Sequence, residues 1–198
     1  FIGRVEEIAD EIMKNRLFVM SAASGAGKTT LKDKVIQKFP DIRYSISATT
    51  RAPRAGEVDG VHYFFKTKEE FLKMIEDDAL VEWNEVHGNF YGTPKSFVEE
   101  TLAKGERVIF DIDVFGKVNF DKVYPDATGI LILPPSSEEL ERRLRSRASD
   151  SEEVIKLRLE NAEKEIDFAK NNGKSKHVII NDDLEVAAKE LENILTLK

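Results

Sequence analysis

The sequence predicts an α/β fold built on a mostly parallel sheet covered on both faces, and three observations carry that expectation. Residues 17–20, 108–112, 129–133 and 177–180 are short apolar or β-branched runs of the length of buried strands. Residues 28–39, 137–145, 154–169 and 184–195, interleaved with them, carry the 3.6-residue apolar period of helices. The first run also leads through a glycine-rich turn straight into a helix. Strands that alternate with helices pair in parallel, because each crossover helix returns the chain to the same sheet end.

The middle of the chain reads differently. Residues 44–47, 62–65, 81–87 and 89–91 look like short strands joined by glycine-containing turns, with one helix over 68–77. This is expected to be a small strand-rich insertion on the α/β core. Residues 147–153 are polar and charged between two helices and read as a mobile connection. Residues 1–12 form an amphipathic stretch before the first strand, and no internal repeat is seen.

At 198 residues the chain has the length of one α/β domain with insertions. Its hydrophobic fraction of 41% supports a single core, and 34% charged residues predict a well-hydrated surface. No apolar run approaches the roughly 20 residues of a membrane span, and no secretory leader pattern is present, so a cytoplasmic location is expected. The absence of cysteine excludes disulfides, thiolate metal sites and thiol nucleophiles. A net charge of −7 argues against a nucleic-acid partner. Arginine is nevertheless concentrated at Arg43, Arg51 and Arg54 and again at Arg142, Arg143, Arg145 and Arg147, which points to small phosphorylated ligands.

Residues 21–29 read SAASGAGKT, directly after a predicted strand and opening a helix, the context a P-loop requires. Backbone N–H groups from Gly25 to Thr29 can wrap a phosphate at the positive helix N-terminus. Lys28 would reach the β- and γ-phosphates and the Thr29 hydroxyl would ligate Mg²⁺. Ala22 stands where the strict pattern has glycine, which requires a negative φ there. The alternative is a strand-to-helix turn that uses its glycines for geometry alone.

Further along, residues 47–60 read SATTRAPRAGEVDG, followed by HYFF at 62–65. Residues 82–93 read EWNEVHGNFYGT and residues 111–116 read DIDVFG. In this order and at these separations the chain closely resembles the guanylate kinase family, from Leu17 through the Asn181-Asp182-Asp183 segment. The resemblance implies a P-loop NTPase-type three-layer fold with a GMP-binding insertion at 44–93 and a mobile lid at 142–158. The core would comprise 13–43, 94–141 and 159–198, all in one domain. It implies ATP and GMP as substrates and Mg²⁺ as the accompanying ion.

The implied roles suit the residue types. Arg51 and Arg54 would grip the GMP phosphate, with Tyr63 and Tyr91 donating hydroxyls to it. Glu82 would accept from guanine N1–H and the 2-amino group, with Ser47 and Thr93 near O6 and Asp113 on the guanosine. Asp111 would sit near Mg²⁺ and Lys28. Ser24, Gly25, Ala26, Gly27, Lys28, Thr29 and Thr30 would hold ATP with Arg143 and Asn181. Arg147 and Arg158 would join Lys28 in bracketing the transferring phosphoryl group. Arg142 and Arg145 are expected to be solvated, with Glu139 and Arg143 able to pair at i,i+4. Trp83 is read as packing, and the scattered His62, His87 and His177 form no metal set. Phe115 stands where the family usually has Gln and is expected to pack. An attacking phosphate oxygen needs no general base, so catalysis would be positioning and charge neutralisation. Two other readings stay open: a guanylate-kinase-like module that binds phosphopeptides without catalysis, and a nucleoside monophosphate kinase for another base.

Overall fold

The structure, a computed structural model, describes residues 16–86, 88–146 and 151–197. The chain runs through β1 (Leu17–Ala22), α1 (Lys28–Ile36) and β2 (Ile42–Tyr44), then crosses to a second sheet with β3 (Ala48–Thr49) and β4 (Phe64–Phe65). Helix α2 (Lys68–Glu76) leads to β5 (Leu80–Val86) and β6 (Asn89–Pro94), which complete that sheet. Then come α3 (Lys95–Ala103), β7 (Arg107–Ile112), α4 (Val114–Val123) and β8 (Thr128–Leu133). The chain ends with α5 (Ser137–Arg145), α6 (Glu152–Asn172), β9 (His177–Ile180) and α7 (Leu184–Thr196). None of these helices is long and apolar enough to cross a membrane.

The main sheet has the order β2-β7-β1-β8-β9 and is parallel throughout. Side chains on β1 alternate between two cores. Phe18 and Met20 meet Leu31, Val35 and Leu191 from α1 and α7. Leu17 and Val19 face Val98 and Phe120 from α3 and α4 on the other side. This two-sided burial is why β1, β7 and β8 read as continuous apolar runs, and it makes the α/β/α sandwich predicted above. The second sheet has the order β4-β3-β6-β5 and its own small core of Ala48, Phe71 and Leu80.

Several expectations need correction. A strand over 44–47 does not form: Tyr44 ends β2, which pairs with β7 in the main sheet. The Ser45 N–H still donates to the Ile109 carbonyl, and pairing in the second sheet resumes only at Ala48. The chain changes sheets there, so no single strand can span the segment. Glu152 and Glu153 are not part of a connection but the first turn of α6, capped by Ser151.

Helices α3 and α4 are not evident in the sequence pattern. On α4 the buried positions are Val114, Gly116, Lys117 and Phe120, and a glycine and a lysine there erase the apolar period. Lys117 is 1% exposed and its Nζ lies 2.5 Å from an Asp121 oxygen. Gly129 on β8 makes room for it, since a Cβ there would lie 2.9 Å from that nitrogen.

Removing one partner of a buried ion pair strands the other charge. Lys117→Ala is therefore expected to lower unfolding stability by about 3 kcal/mol, whereas Lys117→Met with Asp121→Asn should be near neutral. Urea unfolding of the three proteins checks this. A single variant as stable as the parent would contradict the pairing.

Candidate active site

The site is built at the carboxyl ends of β1 and β7, where open α/β sheets bind ligands. Parallel pairing sets Ser21 of β1 beside Ile112 of β7, so the loop leaving β1 passes the end of β7. That loop turns at Gly25 (φ +88°) and Gly27 (φ +90°), in the left-handed region open to glycine. A side chain at Gly27 would also collide with the Asn181 amide. Among the described residues Asp78 is the only non-glycine with positive φ, so Ala22 meets the condition its substitution imposes. Thr67, Asp113, Ser136, Ser151 and Asp183 cap α2, α4, α5, α6 and α7 with side-chain oxygens. Helix α1 starts at Gly27 with no side-chain cap. Its first N–H groups are thus available to an external anion.

Lys28 pairs with Asp111, and its Nζ donates to the Ile112 carbonyl at 2.8 Å. Thr29 and Thr30 follow it in the first turn of α1, with Thr30 exposed. Asn181, just after β9, is buried, and its Nδ2 donates to the Ala26 carbonyl at 2.9 Å. Arg143 donates to the Asn181 carbonyl at 2.8 Å and pairs with Glu139. On α6, Arg158 donates to the Ser24 hydroxyl at 3.2 Å, and the Ser24 N–H donates to Glu165 at 2.9 Å. Arg142 pairs with Glu139, and Arg145 pairs with Glu141 and Glu152, as solvated ion pairs. Arg147 lies outside the described residues.

Besides a cavity of about 280 Å³ lined by Gly25, Gly27, Thr30, Arg143 and Asn181, three further cavities border this loop and share lining residues. One of about 600 Å³ is lined by Ser24, Gly25, Lys28, Thr29, Arg54 and Arg158. A second, about 190 Å³, is lined by Ser47, Tyr63, Glu82, Tyr91 and Asp113, with Lys28 and Asp111. A third, about 540 Å³, is bordered by Thr29, Arg51, Arg54, Tyr63, Tyr91 and Asp111. Arg51 forks onto Glu57 at 2.8 and 3.0 Å, and Glu57 also accepts the Arg54 N–H at 2.7 Å. The Arg51 and Arg54 donors hold the Glu57 carboxyl down at about 2.

Glu82 is 6% exposed, with Oε1 accepting the Thr93 hydroxyl at 2.6 Å. Its other oxygen lies against Gly116, where a Cβ would come within 2.6 Å. Burial pushes the Glu82 carboxyl up to about 7; the Thr93 hydrogen bond opposes this and Asp113 adds to it. Thr93 is fully buried, and its hydroxyl donates to that carboxylate. Asp113 caps α4 through the N–H groups of Phe115 and Gly116, and Asn84 donates to the same oxygen. Trp83 stacks edge-on against Phe90 but remains 41% exposed, so it packs on one side only. Phe115 lies 4.5 Å from the Phe168 ring on α6 but is 39% exposed, so it too packs on one side only.

Glu57, Asn84, Gly116 and Glu165 do not stand out in the sequence as site residues. Glu165 has a usable signal: seven residues after Arg158, it shares that residue's helix face.

A parallel α/β sheet with an uncapped, glycine-turned helix start and a lysine at its first position defines a P-loop nucleotide-binding protein. Residues 14–198 match the family model described as Guanylate kinase. The guanylate kinase of Carboxydothermus hydrogenoformans is 48% identical over 183 residues, 92% of this chain and 88% of that one. That of Synechococcus sp. (strain JA-3-3Ab) is 47% identical over 182 residues, 92% and 82% of the two chains. The crystal structure of guanylate kinase from Anaplasma phagocytophilum superposes with a TM-score of 0.72 at 35% identity, over 90% of this chain and 83% of that one. The chain belongs to the guanylate kinase family, and so to the kinases among the transferases.

The raised Glu82 carboxyl has a consequence for stability. Its folded value of about 7 exceeds the ordinary 4.5, so its contribution is full below about 4.5 and lost as pH rises through 7. Glu82→Gln does not titrate. Its stability relative to the parent should therefore rise by about 2–3 kcal/mol between pH 4.5 and 7.5, because each pH unit of that window is worth on the order of 1.4 kcal/mol. Urea midpoints of both proteins across this range check it; a pH-independent difference would show that Glu82 titrates normally.

Proposed function

We propose that the protein transfers the γ-phosphoryl group of ATP to GMP, giving ADP and GDP, in cytoplasmic purine nucleotide metabolism. The observation that carries this reading is the buried Glu82 carboxylate in a cavity it shares with Lys28, Tyr63 and Tyr91. Guanine offers two adjacent donors, N1–H and the 2-amino group, and a carboxylate accepts both. Adenine presents an acceptor at N1 and has no 2-amino group. Ser47 faces the same cavity and suits O6, while Thr93 serves by orienting Glu82.

The acceptor phosphate would lie among Arg54, Tyr63 and Tyr91, with Arg51 held in the cavity wall by Glu57. The donor phosphates would take the α1 N–H groups and Lys28, with Arg143 and Asn181 toward the rest of ATP. Arg158, resting on the Ser24 hydroxyl, is within the donor cavity and suits the transferring group, with Arg147 as its counterpart. Asp113 would hold the guanosine from the α4 cap.

The donor set fits Mg²⁺. The Thr29 hydroxyl and the Asp111 carboxylate line one cavity, and this hard ion takes one or two protein oxygens with phosphate and water completing its shell. Among the described residues no cluster of three or more His, Asp or Glu side chains forms a dedicated cage. The ion would neutralise phosphate charge. The acceptor oxygen is ionised at neutral pH, so the protein's own contribution is alignment and electrostatic stabilisation.

Phosphoryl transfer from ATP to GMP, AMP, CMP and UMP tests this reading. GMP should exceed AMP by at least about 10³ in kcat/KM, since a site built for polar contacts rejects ligands lacking them. Glu82→Gln should lower GMP use more than tenfold, whereas Arg54→Ala should weaken GMP and AMP alike. If Glu82→Gln leaves the GMP/AMP ratio unchanged, guanine is read elsewhere. Lys28→Ala should cut kcat by roughly 10²–10⁴. A variant that keeps a third of the parent kcat would remove Lys28 from the mechanism.

A further inference from the structure

Helix α1 carries a second lysine one turn beyond Lys28. Residues four apart share a helix face, so Lys32 projects on the same side of α1 as the P-loop lysine. Its side chain is only 12% exposed, unusual for a lysine. The acid paired with it, Asp33 at 3.0 Å, is 59% exposed and therefore a weak, solvated partner. The Lys32 ammonium is held instead over the Tyr44 ring, 3.9 Å from its centroid. It lines the cavity bordered by Arg51, Arg54, Tyr63 and Tyr91. The other acids of that cavity are already engaged, Asp111 by Lys28 and Glu57 by Arg51.

We infer that Lys32 is a third cation of the acceptor-phosphate cavity, which strengthens binding of the acceptor's phosphate without reading its base. This rests on the reaction proposed above. Tyr44 on β2 supports the ammonium from below, so the charge is positioned by the main sheet rather than by the loop that carries Arg51 and Arg54. A partly desolvated ammonium gains most from an anion that enters the same low-dielectric space. The contribution should be Coulombic, with no hydrogen bond to the base.

The rival is a packing role, with the aliphatic stem merely covering Tyr44. Salt separates the two, because screening weakens a charge interaction and leaves packing intact. GMP dissociation constants would be measured by calorimetry for the parent, Lys32→Met and Lys32→Arg, at about 50 and 500 mM KCl, between which the screening length falls roughly threefold. Lys32→Met is expected to weaken GMP roughly three- to fivefold at low salt and less than about twofold at high salt, in the range of a partly screened charge. Lys32→Arg should stay near the parent at both. Unchanged GMP binding at low salt, a loss of equal size at both salts, or an Arg variant as weak as the Met variant would each overturn the inference while leaving the reaction standing. A parent protein that binds no GMP would overturn both.

Discussion

The Lys28 ammonium, held between the Asp111 carboxylate and the Ile112 carbonyl, is the contact on which the rest of the site depends. It joins the loop that leaves β1 to the end of β7, and it can form only because the two strands pair in parallel with Ser21 beside Ile112. That register is strongly specified, since a one-residue slip would turn each buried face of β1 toward the wrong core. From this junction the site extends in two directions. On one side lies the open start of α1. On the other, the residue after Ile112 is Asp113, which caps α4 and so fixes where Gly116 meets Glu82. Three consecutive residues thus set the spacing between the phosphate cradle and the acidic pocket.

The acidic pocket is costly to build. Glu82 is removed from water with the Thr93 hydroxyl as its side-chain donor, and Asp113 nearby makes ionisation harder. In the proposed reaction the same cost becomes selectivity. A ligand that brings two donors relieves the carboxylate's desolvation, and one that brings an acceptor adds to it. Gly116 is part of this arrangement through what it lacks, because any side chain there would displace the carboxylate.

How much of this is legible in the sequence depends on how local the cause is. Strands β1, β7 and β8 stand out because two-sided burial makes a parallel strand an unbroken apolar run, whereas β9, an edge strand with Val178 and Ile180 exposed, stands out by its β-branched residues. The cradle stands out because its geometry is dictated within nine residues. Helix α4 is hidden because Gly116 and Lys117 occupy buried positions, and Lys117 is tolerated only through Asp121 and the space at Gly129, neither visible as a periodic signal. Glu165 reaches Ser24 across 141 residues, a pairing no spacing rule supplies. The hydrogen bond from Thr93 to Glu82 is not legible as a spacing either, because it follows from the cross-strand pairing of the two residues.

The departures at Ala22 and Phe115 can be understood from where they fall. Ala22 closes β1 before the loop first needs positive φ at Gly25, so its methyl group meets no forbidden backbone geometry. Phe115 lies in the first turn of α4, where its ring rests on Phe168 of α6. That contact has a structural meaning beyond filling space. Helix α4 adjoins Glu82 through Gly116, and α6 carries Arg158 and Glu165, both of which bond to Ser24. The acidic pocket and the cradle are therefore tied together twice. One tie runs along the backbone from Asp111 to Asp113, and the other runs through an aromatic contact between helices distant in sequence. An amide at position 115 could make a directional hydrogen bond only to a correctly placed partner. An aromatic ring holds the same two helices together by area, which tolerates small shifts of α6 along α4.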